Sequence, residues 1–481
     1  MANDVPLAVD LDGTLIRTDT LLEAWWSTLS SDPWGAVLAL AALVQGRAAF
    51  KRALSGRTRL DPQSLPYNEA VLSLVHERRQ DGAPVVALVT ASDRPWAEAV
   101  AEHLGCFDEV HASDGTTNLK GPEKAAFLRD RFGARGFDYA GDAEADLPVW
   151  REARRAITVG ASGRLRAEAE AAAPEAAHLD AAPDAAAVSR LPPWLKAMRP
   201  HQWLKNLLIF LPAVASHNAD PGVWLASFIA FVAFSMTASG VYLLNDLLDL
   251  SADRIHPRKR LRPLAAGTLP LLHGSLMAPA VLGGALLLAL LLASPAFVLI
   301  LLGYLVLTTA YSLFLKRMLV IDICVLAGLY TVRVFAGAVA SGIAISPWLL
   351  AFSIFLFLSL AAVKRQAELV SDLRAGKPGA AGRAYRTDDL PVILGMALAS
   401  GYLSVLVMAL YMNTPAVLEL YESPSWLWGV CAVLLFWISR AIMIAHRGEM
   451  DDDPVVFAIK DGVSRACFGV IVFIVLGGAF L

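Results

Sequence analysis

The sequence predicts two fold classes on one chain. Residues 1–160 read as an α/β domain on a parallel sheet, and 194–481 as an all-α bundle of membrane-spanning helices. Three observations lead there. The chain is 56% hydrophobic with mean hydropathy +0.52, and that apolar weight falls after residue 200, while 1–190 carry most of the acid. In the first third, short apolar strands alternate with helical stretches and end in carboxylates. Beyond residue 200, apolar stretches of bilayer length recur nine times.

A length of 481 residues suits two or three domains, and the net charge is −3. No nucleic-acid partner is expected. Cys106, Cys324, Cys431 and Cys467 are scattered, without disulfide-framework or zinc spacing. The first residues lack a basic region followed by an apolar core, so no signal peptide is expected and the first domain should stay cytoplasmic.

Strands are expected at 6–10, 85–90, 107–112, 138–141 and 156–159. The first ends in Asp10-Leu11-Asp12-Gly13-Thr14. Asp10 is placed to attack phosphorus and Asp12 to protonate a leaving group and then activate water. The alternative is an acidic turn after a strand. Val89-Thr90-Ala91-Ser92 offers hydroxyls for a phosphate oxygen, Lys124 a neutralising charge, and Gly141-Asp142 with Asp146 ligands for Mg2+. These four pieces, in this order, resemble the haloacid-dehalogenase superfamily of phosphatases. The resemblance implies a Rossmann-like fold with Asp10 as nucleophile and Asp12 as acid/base. Thr90 and Lys124 would hold phosphate. Asp10, Asp142 and the backbone of Asp12 would hold Mg2+, supported by Asp146. Lys120 rivals Lys124 for the lysine role.

Residues of about 20–78 separate the first two motifs and read as a helical cap. Within it, Trp34–Val44 is too short to span a bilayer; it reads as cap core, with a face resting on the membrane as the alternative. Residues 161–193, rich in Ala, Glu and Pro, read as a linker with a solvated His178.

Nine spans are expected, the first at 204–217 and the last at 462–480. Loops on one side carry Arg199 and Lys205, the basic run 254–262, Lys316 and Arg317, then 364–386 and 440–460. Loops on the other side, at 217–220, 294–295, 341–346 and 413–423, carry no Lys or Arg. The positive-inside rule then predicts a multi-pass protein of the inner cell membrane, with both sites cytoplasmic and the C-terminus outside.

Asn245, Asp249 and Asp253 are four apart at the end of the second span, one face of a helix. Arg254, His256, Arg258, Lys259, Arg260 and Arg262 follow. Carboxylates beside cations suggest a metal–diphosphate site. This pattern and the nine spans resemble the UbiA-type intramembrane prenyltransferases, which implies Asn245, Asp249 and Asp253 as Mg2+ ligands. Members of that family usually carry a second acidic cluster. Here the corresponding segment, 364–372, is led by Lys364 and Arg365 and offers Glu368 and Asp372.

The segments 199–206, 253–267, 364–369 and 448–455 resemble the decaprenyl-phosphate phosphoribosyltransferase branch. That implies transfer of 5-phosphoribose from phosphoribosyl diphosphate (PRPP) to a polyprenyl phosphate, with one Mg2+ in each domain. Arg254, Lys259 and Arg262 would hold PRPP oxygens; His201, Lys205 and Lys364 would hold the lipid phosphate. Arg333, deep in the fifth span, is a functional candidate because charge there is costly. The acidic run 449–453 reads as a solvated loop or a clasp for the basic loops, with a metal site as the sharper alternative. The N-terminal domain would dephosphorylate the product. The alternatives are a prenyltransferase with an isoprenyl diphosphate donor and an aromatic or lipid acceptor, and a transporter with a regulatory domain. Oligomeric state is left open.

Overall fold

The computed structural model describes residues 5–58, 60–114, 118–180, 191–379, 383–450 and 453–480. Six strands form one sheet: β1 (Leu7–Val9), β2 (Val86–Asp93), β3 (Glu109–Ser113), β4 (Asp138–Gly141), β5 (Arg155–Val159) and β6 (Glu175–Leu179). The order is β3-β2-β1-β4-β5-β6, and each neighbouring pair is parallel. The helices between them are α1 (Thr20–Ser31), α2 (Pro33–Ala41), α3 (Arg47–Ser55), α4 (Glu69–Gln80), α5 (Arg94–Leu104), α6 (Pro122–Phe132), α7 (Leu147–Glu152) and α8 (Gly163–Ala172).

Alternation along β1 builds the two faces. Leu7 and Val9 join Val71 and Val75 of α4 and Ala97 and Val100 of α5. Ala8 joins Leu128 of α6, Trp150 of α7 and Leu165 and Ala169 of α8. Because α4 buries its apolar side on the sheet, it is not part of the cap expected over about 20–78. The helices α1–α3 have a cluster of their own, in which Ala24, Ala39, Phe50 and Leu54 are buried.

Residues 161–179, expected as linker, instead extend the sheet. β6 pairs with β5 from Arg155↔Glu175 to Val159↔Leu179. Small residues hid this: α8 needs only Leu165 and Ala169 to cover the sheet, and β6 is a half-exposed edge strand with little apolar alternation. His178 is not simply solvated; its ring nitrogens lie 2.8 Å from Thr158 Oγ1 and 2.9 Å from a Glu170 carboxylate oxygen. Most of the remaining linker, 181–190, lies outside the described residues.

After α9 (Pro193–Ala197) and a 3-10 helix over Pro200–Phe210 come α10 (Leu211–Ala215), α11 (Pro221–Leu248), α12 (Leu250–Ile255), α13 (Leu271–Leu292), α14 (Pro295–Leu313), α15 (Ile321–Ser341) and α16 (Pro347–Arg374). The chain ends with α17 (Leu390–Tyr411), α18 (Pro415–Leu420), α19 (Trp428–His446), α20 (Pro454–Lys460) and α21 (Gly462–Phe480). Among the described residues, eight helices are long and apolar enough to cross a membrane: α11, α13, α14, α15, α16, α17, α19 and α21. The protein is therefore multi-pass. The first expected span, at 204–217, falls on the 3-10 helix and short α10, and it buries Lys205 and Asn206.

The chain divides into two compact units, and not at the expected boundary of 194. One comprises Met1–Met198 with Tyr242–Ala278, the other Arg199–Val241 with Pro279–Leu481. In the first, Trp26 of α1 and Ala197 share a buried cluster with Leu243, Leu247, Leu250, Leu264 and Leu271. In the second, α15, α16, α17, α19 and α21 pack in sequence. The 3-10 helix lies so close to α15 that a Cβ on Gly337 would sit 1.9 Å from the Ile209 carbonyl oxygen. Glycine at 337 thus sets the approach that brings Asn206 to Arg333.

Candidate active sites

β1 and β4 run side by side with Val9 opposite Ala140, and Asp10 N donates to the Ala140 carbonyl at 3.0 Å. Their C-terminal ends therefore present Asp10 and Asp142 together, at the point where strand order reverses. Gly13 has φ +76°, and a Cβ there would lie 2.2 Å from Asp142 Oδ2. Thr14 Oγ1 donates to Asp142 Oδ1 at 3.0 Å.

Lys124 is buried, with Nζ 3.0 Å from Asp10 Oδ2 and donating to the Tyr139 hydroxyl at 2.8 Å. That hydroxyl donates to Asp146 Oδ1 at 2.8 Å. Lys120 is exposed, so of the two lysines it is Lys124 that sits beside Asp10. Asp12 faces the other way. Its Oδ1 accepts from Thr20 N at 2.8 Å, and its Oδ2 accepts from the Ser92 hydroxyl and from Thr20 Oγ1 at 3.2 Å. Burial, then the charge of Asp19, pushes the Asp12 carboxyl up to about 7. A carboxyl so placed holds a proton near neutral pH, as a general acid requires. Thr90 is buried within β2, just before its register shift, its hydroxyl oxygen accepting from Ser92 N at 3.0 Å.

Asp10, Asp142 and Asp146 offer oxygens within 4.8 Å of one another. Burial, then the charges of Asp10 and Asp146, pushes Asp142 up to about 7. Three crowded carboxylates with hard oxygen donors fit a divalent cation, which would relieve that repulsion. Asp146 also accepts from the Asp142 and Ala143 amides at 3.1 Å, so it shapes the loop as well.

Three residues here escaped the sequence reading. Thr20 opens α1 and Tyr139 lies within β4; neither belongs to a motif by spacing. Lys51 of α3 reaches in from the cap, donating to the Ala91 carbonyl at 2.7 Å, and burial holds its ammonium below the ordinary lysine value. Only tertiary packing reveals it.

The acidic column lies in the same compact unit. Asp249 N donates to the Asn245 carbonyl at 2.9 Å and Asp253 N to the Asp249 carbonyl at 2.8 Å, carrying the helical register from α11 into α12. The three side chains thus rise on successive turns. Arg262 Nη1 pairs with Asp246 Oδ1 at 3.1 Å and also with Asp253 Oδ2. Lys259 Nζ stands 3.6 Å from Asp253 Oδ1, a buried oxygen that accepts no hydrogen bond. A buried carboxylate oxygen without a hydrogen bond, one helical turn from Asp249, is a donor that fits a hard cation.

Arg254 is committed elsewhere. Its guanidinium is bidentate to Glu23 of α1, with Nη1 3.0 Å from Oε2 and Nη2 paired with Oε1. Its Nε donates to the Ala265 carbonyl at 3.1 Å. Thr18 Oγ1 donates to Glu23 Oε1 at 2.6 Å. Of the cations expected on PRPP oxygens, Lys259 and Arg262 thus stand at the acidic column, whereas Arg254 clasps α1 to it. Glu23 and Asp246 were not singled out from sequence, because their partners are distant in the chain or sit in a loop.

The remaining candidates lie in the other unit. Arg333 Nε donates to Asn206 Oδ1 at 2.7 Å and Nη2 to the Tyr304 hydroxyl at 3.0 Å, so its partners include neutral groups. Lys205 pairs with Asp453, and Lys364 Nζ lies 3.4 Å from the same carboxylate. Asp453 is thus a clasp on the basic segments; Asp451 and Asp452 of the same acidic run lie outside the described residues. His201 is exposed. Glu368 is held by Arg365 and by Arg383, whose Nε is 3.4 Å away. Asp322 is wholly buried 2.8 Å from Arg365 Nε. It pairs with Arg383 as well, at 3.1 Å.

The profile of the UbiA prenyltransferase family matches residues 206–460, and that of haloacid dehalogenase-like hydrolases matches 7–151. An uncharacterized protein, y4nM, of Sinorhizobium fredii is 38% identical over 96% of this chain and 88% of its own. The nodulation protein NoeC of Azorhizobium caulinodans is 36% identical over 59% of this chain and 91% of its own. The decaprenyl-phosphate phosphoribosyltransferase of Mycobacterium tuberculosis is 40% identical over 37% of this chain and 60% of its own.

Proposed function

The chain belongs to the UbiA prenyltransferase family and carries a haloacid dehalogenase-like hydrolase domain ahead of it, and on that premise we propose a bifunctional membrane enzyme. It transfers 5-phosphoribose from PRPP to a polyprenyl phosphate, and its N-terminal domain removes the 5-phosphate from the lipid-linked product. One observation carries the coupling. The hydrolase carboxylates and the acidic column belong to one compact unit, joined by the buried Glu23–Arg254 pair. The sugar donor is supported by the phosphoribosyltransferase relative and by Glu368, which Arg365 and Arg383 hold. A Glu368 so held does not suit a second metal cluster for ionising an isoprenyl diphosphate.

Two Mg2+ ions fit this chemistry: Asp10, Asp142 and the backbone of Asp12, with Asp146 in support, would hold one, and Asn245, Asp249 and Asp253 the other; when bound they would supply positive charge against phosphoryl oxygens and the leaving diphosphate. Lys259 and Arg262 hold diphosphate oxygens. Lys205, Lys364, His201 and Arg333 serve the lipid phosphate, already an anion at neutral pH. One of its oxygens attacks ribose C1 and diphosphate departs; positioning, not a strong base, is what this step needs. In the hydrolase, Asp10 attacks the 5-phosphate phosphorus to form an aspartyl-phosphate. Asp12 protonates the departing ribose oxygen, then takes a proton from the water that releases phosphate. Thr90 and Lys124 hold the phosphoryl oxygens. Both sites face the cytoplasm of an inner cell membrane, as the basic loops indicate, and with the 3-10 helix and α10 completing a ninth crossing the C-terminus lies outside.

Purified protein with PRPP, Mg2+ and polyprenyl phosphate is expected to yield lipid-linked ribose and inorganic phosphate. No lipid-linked product sinks the transferase; product retaining its 5-phosphate sinks the coupling. Supplying an isoprenyl diphosphate and an aromatic acceptor tests the rival.

The clasp gives a further expected outcome. Glu23→Gln and Arg254→Gln should each weaken transfer by a similar factor, about 5–50-fold, and the double variant should cost no more than either alone, as for residues in one buried pair. Were Arg254 instead a donor ligand, Arg254→Gln would be far worse than Glu23→Gln, and the two losses would multiply.

A further inference from the structure

The helix α2 is built inside out for a protein in water. Residues 33–46 contain no charged side chain. Its inward side is small: Gly35, Ala36 and Ala39 are buried. Its large side chains point away from the fold, with Trp34 80%, Leu38 64% and Val37 53% exposed, and Val44 just beyond is 92% exposed. The sequence alone favours burying this run in the cap; the structure turns it outward. A contiguous apolar patch of this kind marks a docking surface.

What covers it follows from α1. Glu23 meets Arg254, in the segment between two membrane-crossing helices. One turn on, Trp26 Nε1 donates to Ser275 Oγ at 2.8 Å, inside the first turns of α13. Leu29 joins the cluster that includes Met277 and Ala278. The chain in α1 thus runs from the loop toward the span, and α2 begins two residues after α1 ends. The apolar face is therefore delivered to the level where α13 enters lipid. An exposed polar pair flanks it, as at an interfacial helix: Asp32, just before α2, lies 3.6 Å from Arg57. Trp34 suits the headgroup level. A second copy of the chain fits less well. A stable protein interface needs roughly 800 Å² from each partner, whereas nine helical residues extend only about 14 Å.

We propose that the outward face of α2 lies in the headgroup–acyl boundary of the bilayer that the spans cross, holding the cap at the lipid surface. Because Lys51 of the adjoining α3 reaches the hydrolase strand end, the hydrolase site then opens where a phosphomonoester carried on a lipid arrives. The docking stands without the reaction proposed above.

The test uses the full chain in phosphatidylcholine–phosphatidylglycerol nanodiscs. Cys324, the exposed cysteine, is changed to Ser, and an NBD fluorophore is attached through Leu38→Cys or, separately, Val37→Cys. Each probe is expected to emit blue-shifted light, to be quenched by lipids spin-labelled near the top of the acyl chain, and to resist aqueous iodide. A probe at Ala167→Cys, exposed on α8, should show the reverse. Quenching by iodide but not by spin-labelled lipid at both α2 positions would overturn the proposal. So would a blue shift without lipid quenching, which assigns the face to protein.

Discussion

Replacing Asp10 with Asn is expected to lower hydrolase turnover by at least about 10³-fold while leaving transfer intact, so that lipid-linked 5-phosphoribose accumulates. The substitution is nearly isosteric. An Asn oxygen can still accept from Leu11 N, which Asp10 Oδ1 does at 2.8 Å, so the loop is retained. What disappears is the anion. Lys124, buried and 3.0 Å from Asp10, loses its nearer ion-pair partner and keeps Asp146 at 4.0 Å, and no carboxylate remains at position 10 to attack phosphorus. Lipid product resolved by chromatography, with released phosphate counted separately, distinguishes the outcomes. Phosphate release near the parent rate would assign the chemistry to another group. A fall in transfer of the same size would mean that the two activities share more than a scaffold. Asp12→Asn should instead slow leaving-group departure, and most for poor leaving groups. A phenyl phosphate bearing a nitro group would then be spared relative to an alkyl phosphate.

The parts of this chain legible in its sequence are those whose chemistry is local. Asp10, Asp12 and Gly13 sit on one turn after a buried strand, and a tight turn with two carboxylates has few other uses. The eight long spans are legible because lipid demands uninterrupted apolar runs. Elements that depend on small residues or on distant partners were not. α8 and β6 cover their part of the sheet largely with alanine, which composition alone assigns to a linker. Lys205 and Asn206 lie in an apolar stretch that reads as one regular span but folds as a 3-10 helix against Gly337. Glu23 and Arg254 are 231 residues apart, and a basic run read by itself suggests an anion site at every member. The fold shows that one of those cations is spent on a clasp.

Asp249→Ala is expected to lower transfer by on the order of 10²–10³-fold and to raise the Mg2+ concentration needed for half-activity, with hydrolase turnover unchanged. Asp249 is the most informative member of the column. Asp253 also holds Arg262 and Lys259, so its removal releases two cations and confounds loss of metal with loss of loop geometry. Arg262 keeps both its pairs, to Asp246 and Asp253, when Asp249 is shortened. Helix geometry should survive as well, because the bonds that carry the register through this junction are backbone ones. A loss in Asp249→Ala that excess Mg2+ partly restores therefore reports on a cation held by the column. A loss that Mg2+ does not restore, with hydrolase turnover falling in parallel, would point to damage in the unit both sites share. Unchanged transfer would remove the column from the chemistry and return the membrane half to the transporter alternative.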